Sequence, residues 1–154
     1  MMSLLCDVLT ALKGKTLATA ESCTGGGVGA ALTSVAGSSS VYKGGIISYT
    51  NEIKQKILDV PEELLREKGP ISAEVAASMA VGARKRLETD VAVSVTGLAG
   101  PGGDDFGNPV GTVYIGYSDE KKTISRACYF TGNREEIRNQ TIAAALGVIL
   151  ENFK

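Results

Sequence analysis

Leu4, Leu5, Val8, Leu9 and Leu12 recur at spacings of one, three and four, one apolar helical stripe that Gly14 ends. The short run Thr16 to Ala20 reads as a buried strand. Glu21-Ser22-Cys23-Thr24-Gly25-Gly26-Gly27 then turns the chain into an Ala-rich helix near Val28 to Val35. After a Gly37-Ser38-Ser39-Ser40 loop, Gly44 to Thr50 predicts a second strand carrying Ile46, Ile47 and Tyr49. Three helical pieces follow: one capped by Asn51, one with Pro61 in its first turn, and a longer one capped by Ser72 and running to Leu87.

Asp90 to Thr96 alternates valines with smaller residues and predicts a strand that empties into the glycine-rich, mobile loop Gly97 to Gly103. Gly111 to Tyr117 and Lys122 to Phe130 flank a polar four-residue turn, the pattern of an antiparallel hairpin. Asn133 with Glu136 three residues on predicts a capping box for a last helix, whose Ile137, Thr141, Ala144, Ala145, Val148 and Ile149 share one face. Helices alternating with five or more strands, one pair antiparallel, predict an α/β fold: a three-layer α/β/α single domain over residues 1–154 with a mixed β-sheet.

Composition narrows the function. The chain has 154 residues, enough for one core, with 44% hydrophobic and 21% charged residues, as in ordinary globular domains. A formal charge of −1 without long basic runs argues against nucleic acid as a partner, since that binding needs clustered cations. No apolar run reaches the roughly 20 residues of a membrane span, and the first residues lack a signal-peptide pattern, so a cytoplasmic location is expected. Cys6, Cys23 and Cys128 are three scattered thiols, which fits neither a disulfide framework nor a structural zinc site. Histidine is absent altogether, which removes Ser-His-Asp and Cys-His mechanisms. A nucleophile here needs lysine or a carboxylate as its base.

Two of the three loops rich in glycine and hydroxyls follow predicted strands, where open α/β sheets bind ligands. In the first, Ser22, Thr24, Gly25 and Gly26 sit near a helix start suited to phosphate; the other reading is that the glycines only allow close packing. Cys23 is read as a packed thiol. In the second region, Ser39, Tyr49 and Lys54 are spaced so that the latter two side chains can meet near the Gly37 to Ser40 loop. Lys54 is then a base only if burial or positive charge lowers its pKa; solvated Lys54 and core Tyr49 are the alternative. In the third, Thr96 and Gly97 are placed to touch a ligand, while Asp104 and Asp105 read as exposed loop acids. Arg134 and Arg138, four apart on the last helix, are either a phosphate-holding pair or solvated surface residues.

Taken together, Ala20-Glu21-Ser22-Cys23-Thr24-Gly25-Gly26, Ala36-Gly37-Ser38-Ser39, Tyr49-x-Asn51-Glu52-x-Lys54, Thr96-Gly97-x-Ala99-Gly100-Pro101 and Pro109-Val110-Gly111-Thr112-Val113 resemble the CinA C-terminal domain family over nearly the whole chain. That family is associated with competence and DNA damage by name and with nicotinamide mononucleotide deamidase activity by chemistry. The resemblance implies a pyridine-nucleotide salvage hydrolase, an amidohydrolase needing no metal or organic cofactor. It maps the family's serine–lysine dyad and assisting tyrosine onto Ser39, Lys54 and Tyr49. Ser22, Thr96 and one arginine of the last helix fall at substrate-contacting positions. Ser22 as nucleophile in the same pocket, and a noncatalytic nucleotide-binding module, are the competing expectations. A homo-oligomer is expected of so small an α/β domain.

Overall fold

The structure is a computed structural model that describes all 154 residues. Its elements follow in the order α1 (Met2–Ala11), β1 (Leu17–Glu21), α2 (Gly27–Thr33), β2 (Tyr42–Ile47), α3 (Asn51–Leu58), α4 (Glu62–Lys68), α5 (Ala73–Leu87), β3 (Val91–Gly97), β4 (Thr112–Ser118), β5 (Thr123–Tyr129) and α6 (Arg134–Asn152). A single 3-10 turn, Ser38–Ser40, precedes β2. No helix is long and apolar enough to cross a membrane.

The five strands form one mixed sheet in the order β2-β1-β3-β4-β5. β1 runs parallel to both β2 and β3, and β4 lies antiparallel between β3 and β5. Alternation along the strands sorts side chains onto two unlike faces. Leu17, Val91, Val93, Val95, Val113, Ile115 and Tyr117 point to one, where α1, α2 and α6 supply Leu5, Val8, Val28, Leu32, Leu146 and Ile149. Ala18, Ala20 and Ala92 point to the other, against Leu58, Leu65, Val75, Met79 and Ala83 of α3, α4 and α5. Both faces are covered, so the strands are buried and the domain has three layers.

Small residues on the second face let α5 approach the sheet closely. At Gly116 a Cβ would collide with the Ala76 carbonyl of α5, and at Gly82 with the Leu58 carbonyl that ends α3. Only glycine permits these approaches of backbone to backbone. Ser94 exploits the same proximity, donating to the Ala76 carbonyl at 2.5 Å.

The helix boundaries follow local chemistry. Asn133 and Glu136 form the expected capping box at α6, and the Ser72 hydroxyl caps α5 by accepting from Val75 N–H. Two expectations are corrected. β2 ends at Ile47, three residues earlier than the apolar pattern suggests, so Ser48, Tyr49 and Thr50 form a turn. The cap of α3 is accordingly Thr50, whose hydroxyl accepts from Ile53 N–H at 3.3 Å, and Asn51 is the first helical residue.

This topology fixes where a ligand can sit. The chain leaves the carboxyl end of β1 towards α2 on one face, and leaves the neighbouring β2 towards α3 on the opposite face. Loops departing to opposite sides open a crevice between adjacent strand ends, the usual binding place in such sheets.

Candidate active site

Ser22 follows β1 directly, and its N–H is held by the Val95 carbonyl of β3 at 3.0 Å. Lys54 lies on the first turn of α3, and its side chain turns inward instead of towards water, leaving the residue 1% exposed. Its Nζ lies 3.0 Å from Ser22 Oγ, 2.7 Å from the Ser48 carbonyl oxygen and 3.5 Å from that of Tyr49. Burial pulls the pKa of Lys54 down to about 8, against a smaller opposing pull from Cys23.

The three partners of Nζ are chemically unequal. Carbonyl oxygens only accept, so they take the two hydrogens of a neutral amine and leave its lone pair for the third direction. That direction is occupied by Ser22, whose hydroxyl can donate. The early end of β2 creates this arrangement, because the turn after Ile47 aims two successive carbonyls at the amine.

Ser22 and Lys54 line a cavity of about 320 Å³ together with Cys23, Tyr49, Thr96 and Arg134. Gly97 to Gly100 and the Pro70-Ile71 segment complete its wall. Thr96 is buried and donates its hydroxyl to the Pro70 carbonyl at 2.7 Å, tying the end of β3 to the segment ahead of α5. Arg134 spans the mouth: it donates to the Gly100 carbonyl at 2.6 Å and lies 3.4 Å from the Tyr49 hydroxyl. The Cys23 thiol is held protonated by burial, which pushes its pKa up to about 11.

Several expected site residues stand elsewhere. Ser39 lies in the 3-10 turn before β2, exposed, whereas Lys54 follows β2. Residues before and after β2 occupy its opposite ends, and because β2 runs parallel to β1 the Lys54 end is the one where Ser22 leaves β1. A six-residue strand separates them, about 20 Å at the usual rise. Ser39 therefore does not meet Lys54, and Ser22 takes the place expected for it. The Tyr49 hydroxyl contacts Arg134 instead of Lys54, to which Tyr49 presents its carbonyl.

The glycine-rich turn is also used differently. Glu21, 2% exposed, accepts from the Thr24 hydroxyl at 2.6 Å and from Val28 N–H at 2.7 Å through Oε1, and from Gly29 N–H at 3.0 Å through Oε2. Its carboxylate already occupies the N–H groups of Val28 and Gly29 at the start of α2, the donors expected to meet a phosphate there. Thr24, Gly25 and Gly26 do not line the cavity; they shape the turn, Gly25 and Gly26 with positive φ. Arg138 is likewise off the cavity, donating to the carbonyls of Cys23 at 3.1 Å and Thr24 at 2.9 Å. The Arg134–Arg138 pair is thus divided between mouth and turn.

Glu21 is the residue that sequence reasoning passed over. A carboxylate closing a fully buried strand requires internal partners, and that was its available signal. The long loop after β3 is more ordered than glycine content suggests. Asp104 Oδ1 accepts from the N–H groups of Phe106 and Asn108, and Asn108 Nδ2 donates to both Asp104 Oδ2 and the Ile71 carbonyl. Asp104 organises that loop, and no three Cys, Asp or Glu side chains converge elsewhere as metal ligands.

A family model for the CinA C-terminal domain matches residues 2–153. The chain belongs to the CinA C-terminal domain family. A CinA-like protein of Synechococcus sp. (strain RCC307) is 47% identical over 139 residues, covering 89% of this chain and 33% of the relative. One from Geobacter sulfurreducens is 48% identical over 134 residues, 87% of this chain and 32% of its own length. The chain thus spans about a third of the length of these curated relatives. Among solved structures, a CinA superfamily protein of Klebsiella pneumoniae superposes with a TM-score of 0.95 at 31% identity, covering 98% of this chain and 96% of the other. The competence/damage inducible protein CihA of Agrobacterium tumefaciens gives 0.92 at 38% identity, with 97% and 93% coverage.

Proposed function

We propose that this domain hydrolyses the carboxamide of nicotinamide mononucleotide to nicotinic acid mononucleotide and ammonia, with Ser22 as nucleophile and Lys54 as general base. The observation that carries the reading is the buried Lys54 amine, its two carbonyl acceptors fixed, facing the Ser22 hydroxyl at 3.0 Å on the wall of an open cavity. A buried lysine without a carboxylate partner is costly to keep charged, so its retention at this point favours a role for the neutral amine. The substrate class comes from the family resemblance. Two features suit a mononucleotide: a cavity within the small-molecule range and a cationic Arg134 at its mouth beside an aromatic ring.

In this mechanism Lys54 takes the Ser22 proton as Oγ bonds to the carboxamide carbon. The resulting ammonium then gives a proton to the leaving nitrogen, the C–N bond breaks and ammonia departs. Water, activated by the same amine, adds to the nicotinoyl ester; its C–Oγ bond breaks and Ser22 recovers a proton. Each half of the reaction returns Lys54 to the neutral amine, and an amine of pKa about 8 is suited to both halves.

The test is ammonia release from nicotinamide mononucleotide, with nicotinamide and the dinucleotide as controls. The expected result is release from the mononucleotide that Ser22→Ala abolishes. Tight mononucleotide binding without ammonia release would support a noncatalytic nucleotide-binding module instead.

A further inference from the structure

The backbone around Ser22 contains a chain of hydrogen bonds that begins outside the cavity and ends at its wall. Arg138 Nη2 donates to the Thr24 carbonyl at 2.9 Å. The next N–H, that of Gly25, donates to the Ser22 carbonyl at 3.1 Å. The next N–H after that carbonyl belongs to Cys23, a residue lining the cavity, and it has no acceptor on another residue. In a trans peptide the N–H points opposite to the preceding carbonyl, so the Cys23 N–H points away from the turn that the Ser22 carbonyl closes. Arg138 Nε also donates to the Cys23 carbonyl, at 3.1 Å, which holds the following peptide, Cys23–Thr24, and so limits rotation about Cys23.

Hydrogen-bonded peptide groups polarise one another when each accepts at its carbonyl and donates at its N–H. A guanidinium at the head of such a chain strengthens the donor at its tail. An amide directly after a nucleophile is also the commonplace donor to the oxyanion of acyl transfer. We propose that the Cys23 N–H is an oxyanion donor for attack by Ser22 and that Arg138, which touches no substrate, is the positioning residue that orients and polarises it. The proposal rests on Ser22 as nucleophile but not on which amide is the substrate. It also divides the two arginines of α6: Arg134 faces the cavity mouth, whereas Arg138 acts through the turn.

The backbone donor cannot be deleted by substitution, so the test reads Arg138. Arg138→Ala, Arg138→Gln and Arg138→Lys are compared in two assays: deamidation of nicotinamide mononucleotide, and acylation of Ser22 by p-nitrophenyl acetate, located by peptide mass. Rates are normalised to the fraction of acylatable Ser22, and melting curves identify any variant that fails to fold. Loss of a full oxyanion donor costs about 100- to 1,000-fold, so weakening one should lower kcat about 10- to 100-fold in Arg138→Ala. KM should stay within about threefold, Arg138→Lys should retain an intermediate rate, and methylguanidine should restore part of the rate to Arg138→Ala. Acylation should fall in parallel. Should the alanine variant not fold, the glutamine and lysine variants carry the comparison. A wild-type rate per acylatable Ser22, or a loss confined to KM, overturns the proposal. So does failure of the unaltered protein to be acylated at Ser22. If the unaltered protein is acylated but releases no ammonia from the mononucleotide, the deamidase reading falls and the ester assay still decides the role of Arg138.

Discussion

Lys54 Nζ and Ser22 Oγ lie 3.0 Å apart although 32 positions of sequence separate the two residues. The contact joins the carboxyl ends of two adjacent parallel strands, which is where the fold opens its crevice. It distinguishes two serines sharply. Ser22→Ala should abolish ammonia release while leaving mononucleotide affinity within a few-fold, because it removes a hydroxyl and no core volume. Ser39→Ala, at the far end of β2, should keep near-normal turnover. Steady-state kinetics and binding measured on both variants decide, and a dead Ser39→Ala enzyme beside an active Ser22→Ala enzyme would reverse the assignment.

The rate should follow the neutral fraction of Lys54. With a pKa of about 8, roughly a tenth of the amine is neutral at pH 7, so kcat/KM should rise about tenfold towards a plateau above pH 8 to 9. Lys54→Arg keeps a positive charge that does not titrate in this range, and should lose at least about 100-fold at every pH. Wild-type turnover with an unchanged pH profile in Lys54→Arg would exclude the lysine as base.

The layers, the strands and the caps of α5 and α6 were legible because they depend on local periodicity and cap chemistry. Alternating valines at Val91, Val93 and Val95 mark one face of a strand whatever its neighbours are. The site was legible in composition but not in pairing. The absence of histidine left lysine or a carboxylate as base and the resemblance singled out Lys54, yet bringing Ser22 to it required knowing that β2 runs parallel to β1. Strand direction is a long-range property, and nothing in either serine's local sequence encodes it. The same applies to the α2 start: its glycines advertise an anion site, but the anion is the protein's own Glu21. The position of Tyr49 depended on where β2 ends, and the apolar pattern continues through Tyr49 although the strand stops at Ile47.

At the cavity mouth, Arg134 and Tyr49 face one another. Arg134→Ala should raise KM for nicotinamide mononucleotide about 10- to 100-fold, the effect of losing one charge-assisted phosphate contact worth about 1.5–3 kcal/mol, with a smaller change in kcat. Tyr49→Phe keeps the ring and removes only a long hydrogen bond to Arg134, so its KM should change by less than about fivefold. Kinetics with the mononucleotide and the phosphate-free riboside check the assignment: the Arg134→Ala penalty should vanish on the riboside.

Glu21 should be a stability residue of unusual weight for a carboxylate beside the proposed nucleophile. Its two oxygens satisfy two backbone N–H groups and one hydroxyl, all buried. Glu21→Gln replaces one accepting oxygen with an NH2 group, which faces an N–H donor, and should cost about 1–3 kcal/mol. Glu21→Ala orphans every partner and should cost more, about 3–5 kcal/mol. Urea unfolding measures both, and losses under about 0.5 kcal/mol would show that water or a rearranged turn replaces the carboxylate.

Lys54 also links function to stability through protons. Its ordinary pKa is 10.5 and its folded value about 8, so between these pH values the unfolded chain holds the proton that the folded chain has released. Stability rises with pH wherever the unfolded state binds more protons, so this lysine penalises folding fully below pH 8 and releases the penalty as pH climbs towards 10.5. Each pKa unit corresponds to about 1.4 kcal/mol, which puts the penalty on the order of 3 kcal/mol at neutral pH. Other lysines and tyrosines titrate in the same window, so the comparison must be with a variant that lacks only this amine. Lys54→Met preserves the length of the side chain and cannot be protonated. Denaturant unfolding at pH 7 and pH 10 should show the difference in stability between the original chain and Lys54→Met moving by about 2–3 kcal/mol in favour of the original chain as pH rises. The carbonyls of Ser48 and Tyr49 lose their donor in the variant at both pH values, so that cost cancels. A difference that does not move with pH would mean that Lys54 keeps an ordinary pKa in the folded protein, and the neutral-amine mechanism would lose its base.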